Sequence, residues 1–279
     1  FFFKQKTAYE IPKRDWSSDV CSSDLLGTIA LGTRRIELGI GVWNPFMRLP
    51  VQIAMDVATL DEASRGRLTL ALGLGLEGTA RKLDALAEGM VTVRALLSGQ
   101  EARGIKLSFA PARTDIPILM AARGPKALAL AGRIADGVIV PEMCSAGFSA
   151  WAASVAKPRR LVQYLPSTVG PDRAKAIEAM KPVLAGLLKR AWAAAQTVPA
   201  ARHSLVAHSG IPEQDFAKAV SSGDLDERFI ETFSITGDAA DCRRQLAAYR
   251  AAGVTDLALT FVGQDPVLDM YHLNKAARS

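Results

Sequence analysis

The sequence predicts an α/β protein built on a parallel sheet, and three observations predict it. Short apolar runs alternate with longer stretches of helical periodicity six times, each run followed by a helix-like segment. Aromatic residues make up only 6% of the chain, and Ala and Leu are abundant, which favours helix-rich α/β over an all-β sandwich. The length of 279 residues holds a (β/α) barrel of about 250 residues as one unit. Strict βα order leaves two architectures open, a doubly wound sheet or a closed barrel.

The elements follow in order. RIELGIGVW (35–43) reads as a buried strand ended by the turn signal Asn44–Pro45. LPVQIAMDVATLDEAS (49–64) carries apolar residues at helical spacing, and RGR leads into the strand LTLALGLG. A helix from about Thr79 to Ser98 closes at Gly99. IPILMAA (116–122) is a strand running into RGPKALALAGRIA, where Pro125 suits a first helical turn because its missing N–H is not needed there. DGVIV (136–140) and RRLVQYLP (159–166) are further strands, and an Ala-rich helical region spans about Asp172 to Ala195. The chain finishes with the helix GDAADCRRQLAAYRAAGV, the strand TDLALTFV and a short helix. No segment reads as an interdomain linker.

Composition excludes several classes. The formal net charge is +6, but the Arg and Lys residues are scattered among acids, and no nucleic-acid recognition motif is present. A basic enzyme handling an anionic cofactor fits better. No run approaches the roughly twenty apolar residues that cross a membrane. Cys21, Cys144 and Cys242 form no CxxC pattern, which points to a reducing cytoplasm. His203 and His208 are five residues apart, a gap that does not stack them on one α-helical face, and His272 is remote in sequence. No metal is therefore expected.

Residues 1–25 read differently from the rest. The segment has neither periodicity and repeats SSD at 17–19 and 22–24. It resembles a translated sequencing adapter: KQKTAYEI (Lys4–Ile11) and WSSDVCSSDL (Trp16–Leu25) are in-frame readings of adapter DNA. Four basic residues (Lys4, Lys6, Lys13, Arg14) balance four acids (Glu10, Asp15, Asp19, Asp24), so the net charge belongs to the remainder. The expected organisation is a non-native segment 1–25 and a single domain 26–279.

LTLALGLGLEG (68–78) contains a G-x-G-x-x-G at Gly73, Gly75 and Gly78. A nicotinamide-binding Rossmann site would add an acidic residue at the tip of the next strand, about 20 residues on. Glu101 lies near that distance, but in a polar turn before the strand-like IKLSF rather than at a strand end.

Three longer segments carry a fuller likeness. TRRIELGIGVWNPFMRLP (33–50) with ATLDEASRGRLTLALGLG, IPILMAARGPKALALAGRIADGVIV (116–140) and FSITGDAADCRRQLAAYRAAGVTDLALT (233–260) together resemble the luciferase-like family of flavin- and deazaflavin-dependent oxidoreductases. The resemblance implies an eight-stranded (β/α)8 TIM barrel, here incomplete, with strands three to eight present and strands one and two missing. It implies FMN or coenzyme F420 (a deazaflavin) as cofactor. The reaction would be hydride transfer to or from a small organic substrate, or oxygen insertion through a peroxyflavin, with a slight lean toward reductases resembling methylenetetrahydromethanopterin reductase.

Barrel chemistry sits at the C-terminal ends of strands. Resemblance then places a bulge with a non-prolyl cis peptide at Gly41–Val42, behind the cofactor ring, with Asn44 beside it and Gly73 and Gly75 at the next strand end. It places the phosphate-cradling turn at Ala121, Ala122, Arg123, Gly124 and Pro125, where small residues feed a helix N-terminus whose N–H groups and dipole favour an anion. Trp43 and Glu142 are the expected pocket residues. Glu77 stands where some relatives carry a catalytic acid, and no firm catalytic residue is assigned, because the family's first strand supplies such groups. Asp136 is expected to be structural, as a turn former at a strand's N-terminal end. The partners expected are a small molecule and at most a second copy of the chain. A barrel short of two strands exposes sheet edges, so the chain as written is expected to be poorly soluble and inactive. The alternatives are a nicotinamide dehydrogenase and a non-catalytic barrel that only binds.

Overall fold

Alternating apolar runs pair side by side in the computed structural model, which describes residues 18–74 and 80–278. Among these residues the chain forms seven strands, and its contacts divide it into two units. One unit holds the residues up to Ala121 together with Arg133–Gly137, and the other holds Ala122–Gly132 with Val138 onward. Helix α1 (Ser18–Gly32) runs across the boundary expected at residues 25 and 26.

In the first unit β1 (Leu38–Trp43), β2 (Leu68–Leu72) and β3 (Ile118–Ala121) pair in parallel, β2 in the centre. All five residues of β2 are buried, as expected of a strand covered on both faces. Helix α2 (Pro50–Ser64) starts with proline at its first turn and buries Ile53, Ala54, Val57 and Leu60, the spacing of one helical face. It stops at Arg65 and Gly66, both at positive φ (58° and 77°). Helix α3 (Ala80–Leu97) buries Leu86, Met90, Val93 and Leu97 in the same manner. Asp61, 2% exposed, is matched by the Arg113 guanidinium at 2.6 Å. Asp136 accepts hydrogen bonds from the Ile118 N–H (2.8 Å) and from Arg94 (2.9 Å), the structural role expected of it. The run IKLSF forms no strand, only an isolated bridge between Ala102 and Ile105. Ile105 and Phe109 are both exposed, so it has no apolar face to bury.

In the second unit helix α4 (Pro125–Ile134) leads into β4 (Gly137–Val140), and helix α5 (Ala146–Ala156) leads into the long strand β5 (Leu161–Val169). Helix α6 (Arg173–Thr197) is capped by Asp172, whose carboxylate accepts from the Lys175 N–H at 3.2 Å. Then come the short α7 (Pro199–Arg202), a π-helical turn (His203–Ala207), α8 (Glu213–Ser222) and α9 (Glu227–Phe233). Strand β6 (Ile235–Gly237), α10 (Ala239–Ala251), β7 (Asp256–Phe261) and α11 (Pro266–Arg278) complete it.

The expected count of six strands is corrected to seven by β6. Three residues are too few to show alternation, and FSITG reads locally as the lead-in to α10. Its place follows from register. Ser167 pairs with both Ile235 and Phe261, and Val162 and Gln163 pair with both β4 and β7. Strand β7 therefore lines one side of β5 from Val162 to Ser167, and β6 takes over the other side beyond the end of β4. Helix α6, expected from sequence, and helices α8 and α9, which were not, bury Met180, Leu184, Leu188, Phe216, Phe229 and Phe233 together. Among the described residues no helix is long and apolar enough to cross a membrane.

Candidate functional site

The C-terminal ends of β1, β2 and β3 align in register. Ile40 pairs with Leu70 but Trp43 with Leu72, so β1 spends three steps where β2 spends two. The extra residue is a β-bulge at Gly41–Val42, and that peptide bond is cis. The bulge turns Val42 toward β2: a Cβ built on Gly73 would meet Val42 Cγ2 at 3.1 Å and Ala121 Cβ at 3.0 Å. Val42, Gly73 and Ala121 thus meet at one strand end. Glycine at 73 leaves this space to its neighbours, which any side chain there would have to displace by a few tenths of an ångström.

Asn44 is committed to the same rim. Its Oδ1 accepts from the Phe46 N–H (2.8 Å), an Asx turn that starts the descent to α2, and its Nδ2 donates to the Leu74 carbonyl (3.1 Å). Trp43 is 1% exposed, with the Arg48 guanidinium 4.3 Å from its ring centroid, so its indole is sealed beneath a cation. Arg48 is held in turn by Asp56 at 2.8 Å. Gly75 and Glu77 lie outside the described residues, as does Gly78.

In the second unit the turn after β3 enters α4 at Pro125, as the residue types required. The Ala122 N–H donates to the Ile139 carbonyl and the Leu128 N–H to the Gly124 carbonyl. The N–H groups of Lys126 and Ala127, in the helix's first turn, have no intrahelical acceptor by geometry, and Pro125 has no N–H to offer. Arg123 is half-buried beside them, and its positive charge reaches the buried Cys144. Burial nevertheless pushes the Cys144 thiol up to about 11, against Arg123 and Ser204, so it stays a thiol at neutral pH. Gly124 packs on α7, where an added Cβ would lie 3.1 Å from Ala200 Cβ.

Glu142 lies just past β4. Burial raises the pKa of the Tyr164 phenol, and the Glu142 charge raises it further, so the phenol is held protonated across the physiological range. The turn carrying Glu142 is fixed by Gln163, a fully buried residue that sequence reading passed over. Gln163 Nε2 donates to the carbonyls of Pro141 (3.1 Å) and Tyr164 (2.8 Å), and its Oε1 accepts from Ser149 (2.7 Å). Its signal was available: one amide inside the apolar run LVQYLP has to find partners once buried.

The histidine reading is corrected. His203 and His208 do share a face, with their Nε2 atoms 3.2 Å apart. In an α-helix residues five apart point about 140° away from each other. The intervening turn is π-helical, and its i→i+5 closure brings the sixth residue back over the first. Among the described residues no group of three His, Cys, Asp or Glu side chains converges on a metal position.

A parallel α/β chain with a strand-end bulge and a small-residue turn opening a helix is the class of protein that fold and geometry define. The family model for luciferase-like monooxygenases matches residues 14–256, and the chain belongs to that family. It is 30% identical over 268 residues to 5,10-methylenetetrahydromethanopterin reductase of Archaeoglobus fulgidus, covering 84% of this chain and 79% of that protein. It is 30% identical over 192 residues to F420-dependent glucose-6-phosphate dehydrogenase of Beutenbergia cavernae, covering 56% of each. The structure of the coenzyme F420-dependent tetrahydromethanopterin reductase of Methanopyrus kandleri superposes with a TM-score of 0.65 at 24% identity, covering 92% of this chain and 86% of that one. The Rossmann reading of Gly73–Gly78 gives way to this assignment. Glu101 lies in the connection between α3 and β3, not at a strand tip where a ribose would meet it.

Proposed function

We propose that this chain is a deazaflavin-dependent oxidoreductase that transfers hydride to or from a small organic substrate, with FMN as the alternative cofactor of the same site. The observation that carries the reading is the turn Ala121–Gly124 opening α4 at Pro125, in a chain of this family. Two alanines and a glycine let an anion approach the backbone, the first-turn N–H groups point at it, and Arg123 adds a charge-assisted contact. A phosphate group fits that donor set, which has no carboxylate within it. The names of the curated relatives, one a reductase and one F420-dependent, support the deazaflavin over FMN.

A bound deazaflavin supplies a ring carbon that takes up or releases hydride. The chain's own residues bind, orient and exclude water. The bulge at Gly41–Val42 offers an apolar surface for one ring face, and Gly73 leaves Val42 room to present it. In the second unit, Glu142 is the carboxylate proposed to contact the substrate. Tyr164, held protonated, keeps a proton donor next to that carboxylate.

Absorbance and fluorescence titrations with coenzyme F420, FMN and NADH test the reading. Saturable binding of coenzyme F420 is expected, weakened roughly tenfold or more in Arg123→Ala by loss of a charged hydrogen bond. Tight NADH binding without affinity for either flavin-type cofactor would overturn it.

A further inference from the structure

We propose that His203 and His208 form a bidentate site for a borderline divalent transition-metal ion, with Zn²⁺ as the reference occupant. The first observation is distance. With Zn–N bonds of about 2.05 Å, two nitrogens 3.2 Å apart subtend an angle of roughly 100° at the ion, close to tetrahedral. Both facing atoms are Nε2, and one donates its proton to the other. Once the ion displaces that proton, leaving the donor ring as its Nδ1–H tautomer, both lone pairs face the gap and neither ring has to turn over.

The second observation is that both rings are already held. Trp151 stacks on His208 (5.2 Å between centroids, 20°) and meets His203 edge-on (4.5 Å, 68°), and Phe148 adds an edge contact to His208 at 6.0 Å. Immobilising the ligands before binding removes most of the ordering cost. The backbone under the pair is fixed too. Ser145 Oγ donates to the His208 carbonyl at 2.7 Å, and Gly147 packs so closely on that carbonyl that a side chain there would collide with it.

The third is chemistry. Imidazole nitrogen suits Zn²⁺, Ni²⁺ and Cu²⁺ and does not suit Mg²⁺ or Ca²⁺. Both residues are half-buried, so solvent reaches the pair and supplies the remaining ligands, leaving coordination positions open. The site lies in the turn that docks on the start of α5 and owes nothing to the cofactor assignment above.

The test uses the untagged full chain. Calorimetric titration with Zn²⁺ should give one saturable site, weakened roughly a hundredfold in His203→Ala and in His208→Ala because each removes the chelate. His272→Ala should bind as the parent does. Copper(II) loaded onto the parent protein should show electron-resonance hyperfine splitting from two nitrogens, a readout that needs no variant to fold. Absence of saturable Zn²⁺ binding, binding that survives both substitutions, or sulfur ligation of copper would overturn the proposal and leave a plain histidine–histidine hydrogen bond.

Discussion

Gly73 shows how a single residue can carry the rim of the candidate site. Its backbone N–H donates to the Trp43 carbonyl at 3.0 Å, and its missing side chain is the space into which Val42 and Ala121 pack. Gly73→Val should therefore push Val42 off the bulge and cost about 2 kcal/mol, as overpacking in a filled site does. Chemical denaturation measures the loss, and wild-type stability for the variant would show that the rim yields. Glycine at 73 was legible from sequence as a small residue at a strand end, but the occupant of its space was not. The neighbours lie some 30 and 48 residues away and meet it only through register.

Elements were legible where the pattern was long and local. The strands of the first unit, the proline start of α4 and the Asp172 start of α6 all follow from periodicity and end signals that act within a few residues. β6 was missed because three residues carry no period, and its existence depends on β5 outrunning β4. The π-turn was missed because hydrogen-bond register in a helix is not written in spacing. Helix α6 has a further feature at this scale. It continues through Pro182, which cannot donate to the carbonyl of Glu178 one turn earlier. Pro182→Ala should restore that bond and stabilise the chain by about 1 kcal/mol. A denaturation midpoint unchanged or lowered would show that the helix is built around the proline.

At the scale of the whole molecule, charge pairs set the response to pH. Burial acts to raise the Asp256 pKa, but the two-pronged Arg160 contact (3.0 and 2.8 Å) and the Thr255 hydroxyl outweigh it and hold it below the ordinary carboxylate value. The folded chain therefore keeps Asp256 ionised to lower pH than the unfolded chain does. Its contribution is complete above the unfolded pKa and is lost as pH falls through the folded one. Between about pH 5 and 3 the parent should lose more stability than Asp256→Asn, which lacks the titrating group. Parallel acid-unfolding curves would show that the pair contributes nothing.

The sequence by itself determined the α/β class, the order of most elements and the turn that opens α4, because local chemistry writes these in glycine, proline and apolar spacing; the bulge at Gly41–Val42 came only from the family resemblance. Tertiary structure alone decided that Val42 and Ala121 fill the space at Gly73, that Gln163 holds the Glu142 turn, and that His203 and His208 face each other. Each of those depends on backbone register or on residues distant in the chain, and the free energy that selects them exists only once both sides are folded.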